Sequence, residues 1–154
     1  MLTTHRISAD LYDDEFGLIA IHSSLADHAI AYAINGDCGL RLKRMANDFL
    51  VGAQVSFSIF DWDDELNGNY WTLVSNICEV EEEIPSEGFF ASGTSLKKSY
   101  LVEERKEVDY FLKVEVADES LIDPLIRKIN NIPNVVTAYS VEIQSLKSKR
   151  NLIF

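Results

Sequence analysis

Between Val108 and Ile143 the sequence runs VDYFLKVEVADESLIDPLIRKINNIPNVVTAYSVEI, and few folds accommodate such a stretch. Val108, Tyr110, Leu112, Val114 and Val116 alternate with Asp109, Phe111, Lys113 and Glu115, the period of two that marks a strand. Leu121, Ile122, Leu125, Ile126 and Ile129 then share one face at helical spacing, with Pro124 tolerated in the first turn and Asp123 as its cap. Ile132-Pro133-Asn134 breaks that helix, and Val135, Thr137, Tyr139, Val141 and Ile143 restore the period of two. Strand, helix and strand of these lengths predict a right-handed βαβ crossover.

The N-terminal part has the same rhythm. FGLIAIHSS (Phe16 to Ser24) reads as a strand, closed by serines suited to cap a helix, with Ser24 and Asp27 as a capping-box variant. In LADHAIAYAIN, Leu25, Ala29, Tyr32 and Ala33 fall at helical spacing and Ile30 and Ile34 widen the apolar face. Asn35, Gly36 and Gly39 are the stop signals. Leu40 to Met45 reads as a half-exposed strand. Val55 to Phe60 and Tyr70 to Cys78 form a hairpin through DWDDELNGN, where Asn67-Gly68 supplies the turn. EVEEEIPSEGFFASGTSLKKS reads as a long surface connection with an apolar clip at Phe89 and Phe90. Together these predict a single α+β domain over residues 1–154. Its architecture is a two-layer sandwich, a mixed, mostly antiparallel sheet with helices on one face.

Composition narrows the function. Hydrophobic residues at 47% and charged residues at 25% are ordinary for a globular chain. The net charge is −11, and residues 51–100 hold nine acids against two lysines. Nucleic-acid affinity comes largely from neutralising phosphate, so an acidic chain without a basic stripe predicts no nucleic-acid partner. Lys147, Lys149 and Arg150 read as a solvated tail. The start, MLTTHRISADLYDDEFG, lacks a basic region followed by an apolar one, and no apolar run reaches the roughly 20 residues of a membrane helix. With two cysteines in separate elements, the expected setting is a reduced cytoplasm, with no membrane contact.

Chemistry is sparse. His22 and His28 are six residues apart, off the spacing that puts two zinc ligands on one helix face, and His5 stands in the leader. Ser23 and Ser24 read as caps, and Cys38 and Cys78 as small buried hydrophobes. Asp61, Asp63, Glu65 and Asn67 resemble the start of a calcium loop, but Leu66 stands where the sharp turn needs Gly and Thr72 where a bidentate Glu is needed. The expectation is therefore no enzyme, no metal and no cofactor. Aromatics crowd the hairpin, and Trp62, Tyr70 and Trp71 are the candidate contact residues for another protein or a second copy, set against cross-strand packing as the plainer role.

VEERKEVDY, Val102 to Tyr110, resembles the signature of the IPExxxVDY family, an uncharacterised bacterial family of Bacteroidetes type. Glu104, Val108, Asp109 and Tyr110 match it, Val102 replaces its Ile, and Glu103 stands where it has Pro. The GLIAIHS start and SLKSKRNLIF ending are similar too. The resemblance implies no activity. The charged residues before the strand read as an exposed bend and Asp109 as part of a structural clasp, partnered by Arg105 or Lys106. The C-terminal stretch also looks like the βαβ half of ferredoxin-like domains, such as ACT domains, which bind amino acids at subunit interfaces. Here the strand-to-helix corner Ala117-Asp118-Glu119-Ser120 has no glycine and carries acids that repel a ligand carboxylate. Protein interaction or self-association is the leading expectation, and an ACT-like ligand-sensing module the alternative.

Overall fold

The structure is a computed structural model that describes residues 16–84 and 93–154. In chain order its elements are β1 (Gly17–Ser23), α1 (Asp27–Cys38), β2 (Lys43–Arg44), β3 (Phe49–Val51), β4 (Val55–Phe57), β5 (Ile59–Asp64), β6 (Asn69–Ser75), β7 (Ile77–Ile84), β8 (Gly93–Tyr100), β9 (Tyr110–Glu115), α2 (Ile122–Asn130) and β10 (Val135–Ser140), with short 3-10 turns between some of them. Six strands form one sheet in the order β10-β1-β9-β6-β5-β2, while β3 pairs with β4 and β7 with β8 in separate two-stranded sheets. Every neighbouring pair in the six-stranded sheet runs antiparallel. The sheet expected to be mixed therefore has no adjacent parallel pair among the described strands. The crossover strands β9 and β10 both run against β1, so they are parallel to each other with β1 inserted between them.

Both faces of the sheet are buried. On one, Ile19, Ile21, Trp71, Leu73, Leu112 and Val114 pack with Ile30, Ala31 and Ile34 of α1 and with Leu125 and Ile129 of α2. On the other, Leu18, Ala20, Ile59, Val74 and Phe111 pack with Phe57, Leu101, Val102, Val108, Val141, Leu146 and Leu152. Among the described residues neither α1 nor α2 contributes to this second cluster. Phe57 of β4, the segment from Leu101 to Val108 and the segment after β10 supply it instead, and each fully buried large side chain contributes roughly 1.5–3 kcal/mol. β9 is consequently buried along both faces, which is why Phe111, in a slot expected to be only partly covered, is fully enclosed.

The local signals were placed with several shifts. α1 begins at Asp27 with Ala26 as an N-cap lacking any side-chain hydrogen bond, so neither Ser23 nor Ser24 caps it. It passes through Asn35 and Gly36 and stops at Gly39, whose φ of 72° is the left-handed conformation that favours glycine. Tyr32, expected on the apolar face, is exposed, and Ala31 is buried in its place. α2 is preceded by a 3-10 turn capped by Asp118, not Asp123. The expected strand Val55 to Phe60 divides after Phe57: β4 pairs with β3, and β5 pairs with β6. Leu40 and Leu42 are buried, and only Lys43 and Arg44 of the expected strand Leu40 to Met45 pair.

The segment read as a surface connection contains β7 and β8, eight residues each, paired along their full length from Ile77↔Tyr100 to Ile84↔Gly93. Most of its described side chains are exposed, so no apolar period announces it. The clip at Phe89 and Phe90 lies outside the described residues, as does His5.

Candidate functional site

The segment from Leu101 to Tyr110 is fastened to three distant parts of the chain. Glu104 accepts hydrogen bonds from the backbone N–H and the hydroxyl of Ser148, both at 2.7 Å. Burial alone would raise the Glu104 pKa, but these bonds hold it below the usual value. Val108 is fully buried on the face opposite the helices, so the alternation of β9 starts at Tyr110 and not at Val108. Asp109 accepts from the backbone N–H of Ser23 at 2.8 Å. The expected partners pair elsewhere, Arg105 with Glu107 and Lys106 with Glu103. The Tyr110 hydroxyl donates to the Leu25 carbonyl at 2.7 Å. Its pKa is pushed up to about 12 by burial and by the charges of Asp27 and Asp109.

Asn76, which the sequence did not single out, organises the same segment from beneath. It is fully buried. Its side-chain amide donates to the carbonyls of Arg105 (2.8 Å) and Val108 (2.9 Å) and accepts from the Val102 N–H at 2.8 Å. Its backbone N–H donates to the Asp109 carbonyl and its carbonyl accepts from Leu101, both at 2.9 Å. A bend with no regular partner strand thus has five of its backbone polar groups met by one residue. Asn130 acts similarly at the sheet edge, donating to the Ala138 carbonyl and accepting from the Ala138 N–H, both at 2.8 Å. Asn35 brackets Leu42 in the same way.

The hairpin aromatics do not form one patch. Trp62 and Trp71 stand directly opposite each other on β5 and β6 and face the helices, where Trp71 is 5% exposed and Trp62 packs against the same cluster from the rim. Among the described residues the Trp71 indole N–H has no hydrogen-bond partner. Tyr70 points to the other face and donates to Asp61 at 2.6 Å. That bond, burial and the charges of Asp61, Asp63 and Glu115 push its pKa up to about 12. At the turn, Asp64 accepts from the Asn67 side chain at 2.7 Å and from its N–H at 3.1 Å, and Gly68 has a φ of 67°. Among the described residues no group of three or more His, Cys, Asp and Glu is placed to hold a metal ion.

The other candidates for chemistry are tied into packing. His22 meets the Tyr139 hydroxyl at 3.0 Å, and the Ser23 hydroxyl donates to the Asn134 carbonyl. Cys38 and Cys78 are free thiols, and burial pushes that of Cys38 up to about 11, Asp37 adding to the effect and Lys128 opposing it.

Lys113 is the exception. It occupies the middle of β9 at 7% exposure, on the face away from the helices. Its ammonium lies 4.5 Å from the centre of the Phe16 ring and 5.5 Å from that of Phe154. Among the described residues its closest carboxylate oxygen, from Glu115, is 3.7 Å away. Beside it opens a hollow of about 110 Å³ lined by Met45, Ile59, Asp61, Tyr70, Thr72, Lys113, Glu115 and Phe154. The only signal in sequence was a lysine in the same alternating register as Phe111.

These features define an antiparallel α+β domain with a cross-braced bend and a charged hollow, both on the face of its sheet away from the helices. Comparison with protein-family models, with curated proteins and with solved structures finds no match. No helix among the described residues is long and apolar enough to cross a membrane.

Proposed function

We propose that this chain is a non-enzymatic cytoplasmic domain that docks a basic, extended segment of another protein along the β7–β8 ribbon. The observation that carries this is the ribbon's redundancy to the fold. Two strands of eight residues stand outside the main sheet, paired only with each other among the described strands, although an isolated two-stranded hairpin is marginal in water. Its ion pairs, Glu82 to Lys97 at 3.1 Å and Glu79 to Lys98 at 3.6 Å, have side chains more than half exposed, so each contributes at most about 1 kcal/mol. Strand edges are templates for pairing. On β7, exposed Glu79, Glu81, Glu82 and Glu83 repel acidic or phosphate-bearing partners and attract a basic strand. Trp62, at the rim of the helix side, remains the aromatic available to such a partner; buried Trp71 is not.

The strand order β10-β1-β9-β6, with α1 after β1 and α2 between β9 and β10, supports a ferredoxin-like reading with both helices on one face and β5 and β2 as an extension. The packing roles of Glu104, Val108, Asp109 and Tyr110 support membership of the IPExxxVDY family with a signature that maintains the fold.

The test is crosslinked affinity purification with three baits. The full chain is expected to retain a protein partner. A variant in which residues 79–98 are replaced by an Asn-Gly turn is expected to lose it, as is one carrying Glu79→Lys, Glu81→Lys, Glu82→Lys and Glu83→Lys. A partner retained equally by all baits, or a monomer that retains none, refutes the reading.

A second reading, an ACT-like sensing module, is favoured by one observation. A hollow of about 460 Å³ at the corner from β9 to α2 is lined by Gly17, Ala117, Glu119, Ile122 and Gln144 among others. A melting shift with a small metabolite that Glu119→Gln removes would support it, and a blank panel at millimolar concentration would remove it.

A further inference from the structure

Strand register places opposite charges on either side of the Lys113 hollow. Asp61 on β5 pairs with Thr72 on β6, and Thr72 with Lys113 on β9, so the three cross the sheet in one row on the same face. With neighbouring strands about 4.8 Å apart, the backbones at Asp61 and Lys113 are roughly 10 Å apart, with Thr72 between them. The hollow therefore carries a cation on β9 and a carboxylate on β5, with Glu115 as a second carboxylate on β9 beside Lys113. Glu115 and the Tyr70 hydroxyl lie one pleat further along, in register with each other, and Met45, Ile59 and Phe154 make the apolar wall.

The charge at the cationic side is under-used. An ammonium has three protons to donate. Among the described residues Lys113 makes no hydrogen bond within 3.5 Å, and its Glu115 contact is at 3.7 Å. The two aromatic rings accommodate it over their faces but accept no conventional hydrogen bond. Burying a charge so incompletely partnered is costly, and a methionine of similar length would fill the same place without that cost.

We propose that this hollow binds a small zwitterion, an ammonium and a carboxylate on one compact apolar skeleton, as in a free α-amino acid. The ligand carboxylate takes the protons of Lys113, its ammonium takes Asp61 and Glu115, and its side chain lies against Met45, Ile59 and Phe154. A simple anion leaves both carboxylates facing it, and a simple cation faces Lys113. The volume of about 110 Å³ selects a compact ligand.

The experiment is calorimetric titration of the full chain with L-valine, with isovalerate, which lacks the ammonium, and with isobutylamine, which lacks the carboxylate. Saturable binding of L-valine alone is expected. Lys113→Met is expected to lower that affinity about tenfold or more, as loss of a charge-assisted hydrogen bond does, and Asp61→Asn to weaken it at a site that does not depend on Lys113 being replaceable. Circular dichroism establishes that each variant is folded. No saturable binding, equal binding of all three compounds, or valine binding that survives both variants overturns the proposal. Binding abolished by Glu119→Gln but not by Lys113→Met assigns the ligand to the corner hollow and overturns it equally.

Discussion

Replacing Asn76 by Ala removes three side-chain hydrogen bonds from a fully buried site, and their consequences differ. The Arg105 carbonyl keeps a second partner, the Val108 N–H at 3.1 Å. The Val102 N–H and the Val108 carbonyl lose the side-chain partner given above, and each buried group left unsatisfied costs about 1–3 kcal/mol. The expected destabilisation is therefore ~2–6 kcal/mol, towards the lower end if one water enters the vacated space, against a total stability of about 5–15 kcal/mol. Asn76→Asp keeps the shape but turns a donor towards two carbonyls as a carboxylate oxygen, so it is expected to be at least as damaging. Urea denaturation followed by circular dichroism reads this as a midpoint lowered by about 1–3 M at an m value of ~2 kcal/mol/M. A loss below about 1 kcal/mol for the alanine variant at unchanged m, or an aspartate variant milder than the alanine one, would refute the account of Asn76 as the brace of the bend.

Three further outcomes test the same framework. Glu104 has its folded pKa held below the ordinary value, so its clasp on Ser148 stabilises above the ordinary glutamate pKa and is lost as pH falls through the lower folded one; Glu104→Gln, at a cost under about 1 kcal/mol because water competes at this exposed site, is expected to flatten that part of an acid-denaturation curve. Tyr110, raised to about 12, contributes fully below the ordinary tyrosine pKa and loses its contribution as pH rises through about 12; ultraviolet titration should show its phenolate late, and Tyr110→Phe should cost about 1 kcal/mol at neutral pH for the lost bond to Leu25. Asn130→Ala uncovers the outward N–H and carbonyl of Ala138 on edge strand β10, so sedimentation velocity should reveal concentration-dependent association where the native chain shows none through that edge.

Legibility in the sequence followed burial. β9, α2 and β10 could be read because each sets an apolar face against the core, and the period of that face is the period of the element. β7 and β8 could not, because EVEEE and GTSLKKSY bury little on either side and the pairing of Glu79 with Lys98 and Glu81 with Leu96 leaves no pattern in one strand alone. The second face of the sheet was hidden for another reason. Its cover comes from Leu146 and Leu152 within SLKSKRNLIF, where lysines and arginine surround the two leucines and give the appearance of a tail. With that cover unseen, the enclosure of Lys113 on the face it shares with Phe111 could not be read. Asn76 looks like any polar residue in a strand, since its side-chain partners lie 26 to 32 positions further along. The clasp expected at Asp109 exists, but a backbone N–H serves where a cationic side chain was expected, and backbone donors carry no signature in sequence.

The bonding at Asn76 also fixes where the β7–β8 ribbon leaves and rejoins the body. The Leu101 N–H reaches the Asn76 carbonyl at 2.9 Å, and Ile77 pairs with Tyr100 in the next step, so departure and return share one doorway. Everything beyond it is an excursion whose closure is already secured. The cost of closing a loop grows only slowly with its length, so this doorway is a natural socket. Shorter turns, longer arms or a foreign reporter hairpin spliced there would leave the sheet intact, and descent with modification could exchange one arm for another while the chassis stayed the same.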